Sequence, residues 1–296
     1  MHKEQHESNL PLVSIITVSW NRKRDVSELV ESLLRQTYKE KEIIVVDSAS
    51  TDGTVDFLKT KYPSIRVIPL ERNYGLHKGF NVGVAEAKGK IIVGIDHDCV
   101  LDDKEVIDKV VARFRENPKL GIVAFKVKSF FTKKDAWDNP PPHLIEGNPE
   151  RGYPCLTYNG SGFAILREVY MKAGGLDEQF VIYYGEIDLT LRVLEIGYEC
   201  KYLPDIIVFH KSSNPPTSDW YIKITQRNWA WFIWKNFPFQ EIVRLRFLPF
   251  LFLLRINPTL FFSVLFETLS GFCQVLKKRK PLSYETINYY KVLRGY

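Results

Sequence analysis

"IIVGIDHDCVLDD", residues 91–103, decides how the chain is read. Ile91 to Ile95 is short, charge-free and rich in β-branched residues, the pattern of a fully buried parallel strand. It runs straight into Asp96, His97 and Asp98. Two carboxylates one residue apart at a strand exit repel each other unless something positive lies between them. The carboxyl edge of an open α/β sheet is where such folds take their ligands. The plainer alternative is a solvated turn, with Asp102 capping a helix that begins near Lys104.

Working outward, strand and helix signals alternate on the amino side. "LVSIITVSW" is a buried strand, and "RDVSELVESLLRQT" is an amphipathic helix with Val26, Leu29, Val30, Leu33 and Leu34 apolar. "EIIVVD" is a second strand. "STDGTVDFLKTKY" is a helix capped by Ser50 or Thr51. "IRVIPL" is a third strand, followed by the helix "LHKGFNVGVAEAKG". Four βα units imply a mostly parallel sheet covered by helices on both faces. The strands end at Trp20-Asn21, Asp47, Glu71-Arg72-Asn73 and Asp96, so these polar residues line one crevice.

On the carboxyl side a helix and strand run to Phe131, and residues 132–157, rich in Pro and charge, read as a long functional loop. "NGSGFAILR" reads as a glycine-interrupted strand, "GEIDLTLRVLEIGY" as a helix, and "IIVFH" as a last short strand ending at His210. The composition changes near residue 218. This places a polar, disordered lead-in at 1–10, an α/β domain at 11–218 and a helical tail at 219–296.

The cysteines, Cys99, Cys155, Cys200 and Cys273, form no CxxC pair, which argues against a zinc site or a disulfide framework and fits a reducing cytosol. No apolar signal segment opens the chain. The net charge of +6 is uneven: residues 219–296 carry 12 Lys+Arg and 4 Asp+Glu, a net +8, against a net −2 for the rest. A basic tail on a slightly acidic body points to an anionic lipid surface and away from nucleic acid.

"VSIITVSWNR", "SLLRQTYKEKEIIVVDSASTDGT", "NYGLHKGFNVGVAEAKGK", "IDHD", "GSGFAILREVYMKAGGLDEQF", "GEIDLTLR" and "VFH" stand in that order over residues 11–212. Together they resemble the family 2 nucleotide-sugar glycosyltransferases, inverting enzymes of the GT-A (Rossmann-like) fold, and among them the rhamnosyltransferase-like group. The resemblance makes Asp96-His97-Asp98 a DxD motif and supplies the positive object: a divalent metal, Mn2+ or Mg2+, on the donor's diphosphate. Hard oxygen ligands suit such an ion, which neutralises charge on the leaving group. Asp98 is then the direct ligand, Asp96 a ribose or second metal contact, and His210 the residue completing the metal site. An imidazole among the ligands favours Mn2+ slightly.

The resemblance also implies a general base, because inversion by one displacement needs one on the face opposite the diphosphate. Glu186 falls on that position. The chain departs from the family there, with Gly185 where an acid usually stands. Asp188, at the helix start, is either an acceptor contact or a helix-capping residue. Val18, Trp20 and Asn21 match positions that hold base and ribose, and Asp47 matches the acid that reads a pyrimidine ring. Asn73, Gly75 and Gly79 match the donor-proximal helix start, though packing explains Gly79 in part and Gly83 entirely. Gly160, Ser161 and Gly162 read as a turn beneath the acceptor or donor sugar, or as a β-bulge.

"QRNWAWFIWKNFP" gathers Trp229, Trp231 and Trp234 with Arg227 and Lys235, a membrane-interface mixture. The apolar stretch that follows is broken by Arg255 and Glu267, and its longest uncharged run, Ile256 to Phe266, has 11 residues, too few to span. "KKRK" at 277–280 completes the reading of an in-plane anchor. A re-entrant anchor belongs to the same reading, and the alternatives are a true membrane span and burial in the core or in a homodimer. The expectation is a metal-dependent inverting glycosyltransferase, peripheral on the cytosolic membrane face, acting on a lipid-linked or growing glycan. A sugar-phosphate nucleotidylyltransferase is disfavoured, because "VSWNRKRD" lacks the glycine-rich loop that class needs. A catalytically degenerate glycan- or membrane-binding relative is the non-enzyme alternative.

Overall fold

A computed structural model describes residues 10–136, 152–212, 218–242, 254–255 and 257–294. Strands β1 (Val13–Ser19), β2 (Lys41–Asp47), β3 (Arg66–Pro69) and β4 (Ile91–Gly94) are parallel, with β1 central between β2 and β4. Helices α1 (Lys23–Leu34), α2 (Thr54–Lys61) and α3 (Leu76–Glu86) connect them. Every residue of β1 and β4 is buried, as their charge-free sequences, rich in β-branched residues, allow.

The sheet continues through β5 (Cys99–Val100), α4 (Val106–Glu116), β6 (Leu120–Ser129), β7 (Tyr153–Pro154), β8 (Phe163–Leu166), α5 (Arg167–Lys172), α6 (Gly185–Glu195) and β9 (Glu199–His210). Its strand order is β3-β2-β1-β4-β8-β6-β9-β5, with β7 paired to β9 and β8 antiparallel to both neighbours. One face packs on α1, α2 and α4 through Val26, Leu29, Leu58 and Val110; the other packs on α3, α5 and α6 through Phe80, Val84, Val169 and Leu189.

Several local expectations shift. Leu34 is exposed, because α1 ends there and turns it outward. The first turn of α2 is held by Asp52, whose Oδ1 accepts from Thr54 N, and not by Ser50 or Thr51. Ahead of α4, Asp103 and not Asp102 accepts from Glu105 N, and the helix starts at Val106. β8 begins only after "GSG", which forms a turn in which Asn159 accepts from Ser161 N and Gly162 N. The lead-in and most of the proline-rich loop lie outside the described residues. Cys155 and Cys200, 45 residues apart, are brought within 3.3 Å as buried thiols by the β7–β9 pairing.

The larger correction concerns the tail. Helix α7 (Asp219–Asn236) begins where the composition changes, with Ser218 capping Tyr221 N. It is followed by α8 (Pro258–Ser270), α9 (Phe272–Lys277) and α10 (Tyr284–Arg294). Trp231, Phe232, Ile233, Phe237, Val275 and Ile287 form one core with Leu156, Phe180, Ile187 and Leu191 of the α/β part. The tail is therefore not an appendage. Trp231 is buried, with Nε1 donating to Thr268 O, so its ring is covered by α8. In "KKRK", Lys278 pairs with Asp177 Oδ1 at 2.6 Å, and Arg279 donates to the Trp234 and Phe237 carbonyls at the end of α7. Among the described residues no helix is long and apolar enough to cross a membrane.

Candidate active site

The carboxyl edge of the sheet carries the expected residues. β4 stops at Gly94, and "DHD" forms the turn into β5, closed by Cys99 N donating to Asp96 O. Register pairing of β5 with β9 sets Cys99 opposite His210. Asp98 Oδ1 and His210 Nε2 come to 3.2 Å, while His97 turns away to meet Val18 O through Nδ1. Ser161, 1% exposed, donates to Asp96 Oδ2 at 3.2 Å and lies 3.3 Å from His210 Nδ1. A hydroxyl with one proton already given to Asp96 accepts from Nδ1–H, which turns the Nε2 lone pair of the imidazole toward Asp98.

Two lone-pair atoms at that distance need a cation or a proton between them. The charge balance agrees. Burial works against the Asp98 charge, but the hydrogen bond and charge of His210 outweigh it and hold the carboxyl well below the usual range. Asp96 moves the other way, raised by burial and by the neighbouring Asp98 charge. The ligand atoms of Asp98, Cys99 and His210 lie within 4.8 Å of one another, a group able to hold a metal ion. Burial and the nearby carboxylates push the Cys99 thiol up, so it stays protonated and the ligands left are the hard carboxylate of Asp98 and the imidazole of His210. Asp96, expected as a ligand, stands one hydrogen bond back through Ser161.

Across the cleft, Glu186 sits in the first turn of α6. The loop that aims it is strained: Val181, Tyr183 and Tyr184 all have positive φ, at 66°, 61° and 65°. Asn228 of α7, fully buried, restrains this loop by donating Nδ2 to the Phe180, Ile182 and Tyr183 carbonyls. A Cβ on Gly160 would lie 3.6 Å from Glu186 Oε1 and 3.9 Å from Asp96 Oδ2, so this glycine keeps the space between the two carboxylates open. The cleft, about 720 Å3, is lined by Asp96, Gly160, Ser161, Tyr183, Glu186 and His210.

The remaining expectations divide. Trp20 is 53% exposed at the end of β1, a free aromatic face. Val18 is buried beside it and packs against Gly79, where a Cβ would come within 2.8 Å of its side chain. Gly79 is thus a packing glycine. Asn21 and Asp47 are laced together: Ser50 N and Oγ donate to Asp47, Asn21 N donates to Ser50 Oγ, and Asn21 Oδ1 accepts from Thr51 N. Asp47 is fully buried and, as placed, shapes the loop instead of facing the cleft. Asn73 accepts from Gly75 N, and Gly75 adopts φ 87° against Val181. Gly162 lies under Phe125 and Val208 with no room for a side chain or a sugar contact.

Asp188 is corrected outright. It has no exposed surface, and its carboxylate is held by Arg192, Lys235 and Asn236, so it cannot touch an acceptor. Sequence reasoning missed Asn228 and Lys235, which brace the site from the tail. It also missed His77, buried at 3.9 Å from Glu186. An asparagine and a lysine inside an aromatic helix were the available signals.

The model of glycosyl transferase family 2 matches residues 14–174. An uncharacterized glycosyltransferase of Haemophilus influenzae is 32% identical over 171 residues, 56% of this chain and 56% of that protein. The Escherichia coli UDP-Glc:alpha-D-GlcNAc-diphosphoundecaprenol beta-1,3-glucosyltransferase WfaP is 34% identical over 128 residues, 43% of this chain and 49% of that one. The chain thus spans about half the length of these curated relatives. Among solved structures, the mannosyltransferase PcManGT from Pyrobaculum calidifontis, in complex with GDP-Man and Mn2+, superimposes with a TM-score of 0.60 at 18% identity, covering 97% of this chain and 81% of that one.

Proposed function

From the premise that the chain belongs to glycosyl transferase family 2 and has its GT-A fold, we propose that it moves a sugar from a nucleoside diphosphate donor to a glycan or lipid-linked acceptor with inversion. One observation carries this reading: Glu186, Asp96, Ser161 and His210 line the same cleft, Gly160 keeps the space between the Glu186 and Asp96 carboxylates open, and His210 links this lining to Asp98. A divalent cation bound with the donor would neutralise the departing diphosphate. Asp98 and His210 would hold it, Mn2+ suiting the imidazole, and Ser161 orients the ring through Nδ1.

Trp20 offers a face for the nucleobase, and the laced Asn21–Asp47–Ser50 loops shape that end of the cleft. Gly160 leaves room for the donor sugar above the sheet edge. Glu186 removes the acceptor hydroxyl's proton as its oxygen attacks the anomeric carbon. The relative WfaP acts, by its name, on a diphosphoundecaprenol-linked sugar. That supports a lipid-linked acceptor and cell-envelope glycan synthesis.

Glu186→Gln keeps the shape and removes the basicity. Turnover should fall by roughly 10²–10⁴, the range for a lost general base, with donor affinity unchanged. Loss of donor binding instead would move Glu186 to the nucleotide side and end its assignment as base.

A further inference from the structure

His77 is an imidazole that this chemistry leaves unused. It lies in the first turn of α3 with no exposed surface, and its Nδ1 is 3.3 Å from the carbonyl oxygen of Asp177. A carbonyl only accepts, so Nδ1 carries the proton and Nε2 of the neutral ring presents a lone pair. Among the described residues nothing donates to it: Nε2 is a buried atom without a hydrogen-bond partner. Native interiors rarely leave such an atom unmatched without a reason.

The group that Nε2 faces is the Glu186 carboxylate, with Oε1 at 3.9 Å. That is too long for a hydrogen bond, and with both groups unprotonated it sets acceptor against acceptor. One added proton makes the contact favourable. The backbone keeps the space clear, since a Cβ on Gly185 would lie 2.3 Å from His77 Cε1 and 2.6 Å from Nε2. The residue before Glu186 must be glycine while the imidazole stands there. His77 and Glu186 also border one small cavity of about 20 Å3 beside Asp96.

We propose that His77 is the proton partner of Glu186, receiving the hydrogen bond or the proton that Glu186 acquires from the acceptor. The proposal rests on Glu186 being the base. In the step, the acceptor O–H bond breaks while its oxygen bonds to the anomeric carbon. The bond from that carbon to the diphosphate oxygen breaks, and the electron pair leaves with the diphosphate. The proton goes to the Glu186 carboxylate, whose new O–H points at His77 Nε2. There it is either held or handed over, and an imidazolium so formed keeps its Nδ1–H on the Asp177 carbonyl.

A double-substitution cycle tests this, read as nucleotide release from UDP-glucose, UDP-GlcNAc and GDP-mannose with Mn2+ and water as acceptor. His77→Ala should lower kcat by at least about tenfold while donor KM stays within about twofold. In the Glu186→Gln protein, which has no proton to pass on, the same substitution should change kcat by less than about twofold. If His77→Ala does not fold, His77→Gln is put through the same cycle. Equal losses in both backgrounds, or native kcat in the His77 variant, overturn the proposal and leave Glu186 as base. If Glu186→Gln itself keeps native kcat, the base assignment falls, and the proposal with it.

Discussion

Lys235 and Asp188, 47 residues apart, share a hydrogen bond of 2.9 Å in the protein interior. The same ammonium reaches Asp177 at 2.7 Å, so one cation from α7 holds two buried carboxylates of the α/β part. Asp188 lies two residues beyond Glu186 on α6. The tail therefore fixes the helix that carries the base.

Lys235→Ala would leave those carboxylates facing each other without their shared cation. Breaking a buried pair on one side costs about 3–5 kcal/mol. Denaturant unfolding of the variant should show a loss of that size, with α6 and the tail losing stability together. A cost below about 1 kcal/mol, the range of exposed pairs, would show that the network is solvent-screened.

Acid should attack the same network. Burial opposes the charge on both carboxylates, but Lys235 with Lys278 holds Asp177 well below its ordinary value, and Arg192 with Lys235 lowers that of Asp188. A depressed folded pKa contributes stability that is present above the unfolded value, ~3.9, and is lost as pH falls through the folded one. Tm should hold from neutral pH to about 5 and drop below about 4. Asp177→Asn should flatten that drop, and an acid limb identical to the native one would remove Asp177 from the account.

The first four strands were legible because they are short runs rich in β-branched residues with polar ends, a signal that needs no partner to be read. Asp98 stands out because it follows such a strand directly, whereas His210 and Glu186 stand out only through the family resemblance of the motifs that hold them. The tail was not legible in this way. A Trp-rich helix such as α7 carries the same pattern whether lipid or another helix covers it, and only the fold shows α8 on Trp231. Asp188 misled for a related reason: its partners Lys235 and Asn236 lie 47 and 48 residues away. His77 reads as an ordinary helix residue until the missing side chain at Gly185 is seen beside it.

The Asp98–His210 contact predicts a metal-dependent response to nucleotide. Mn2+ with UDP or GDP should raise the Tm of the native protein more than either component alone, by binding only the folded state. Asp98→Ala should lose that synergy while keeping its Tm without ligand. An equal Mn2+-dependent rise in the variant would place the metal elsewhere. No rise in the native protein would count against a metal-bound donor altogether.

Membrane contact is now predicted from a different surface than the tryptophan cluster. One side of α8 is pinned to α7 through Leu260, Val264 and Thr268, and Glu267 is neutralised by Lys223 at 2.6 Å. Phe262, Phe266 and Leu269, spaced four and three residues apart, stand 61%, 75% and 60% exposed. That spacing puts them on one outward ridge. The exposed Lys277 and Lys280 lie a short distance on in sequence, while Lys278, though exposed, is paired with Asp177 and Arg279 is bonded to the end of α7. Insertion of the ridge and attraction of the lysines should add, and only attraction is screened by salt. Serine at 262, 266 and 269 should weaken binding to anionic phosphatidylglycerol vesicles at every ionic strength. Glutamine at 277 and 280 should weaken it at low salt and make little difference near 1 M, where the Debye length is ~3 Å. Co-sedimentation across a salt series measures both. Native binding by the triple serine variant would show that this ridge does not meet lipid.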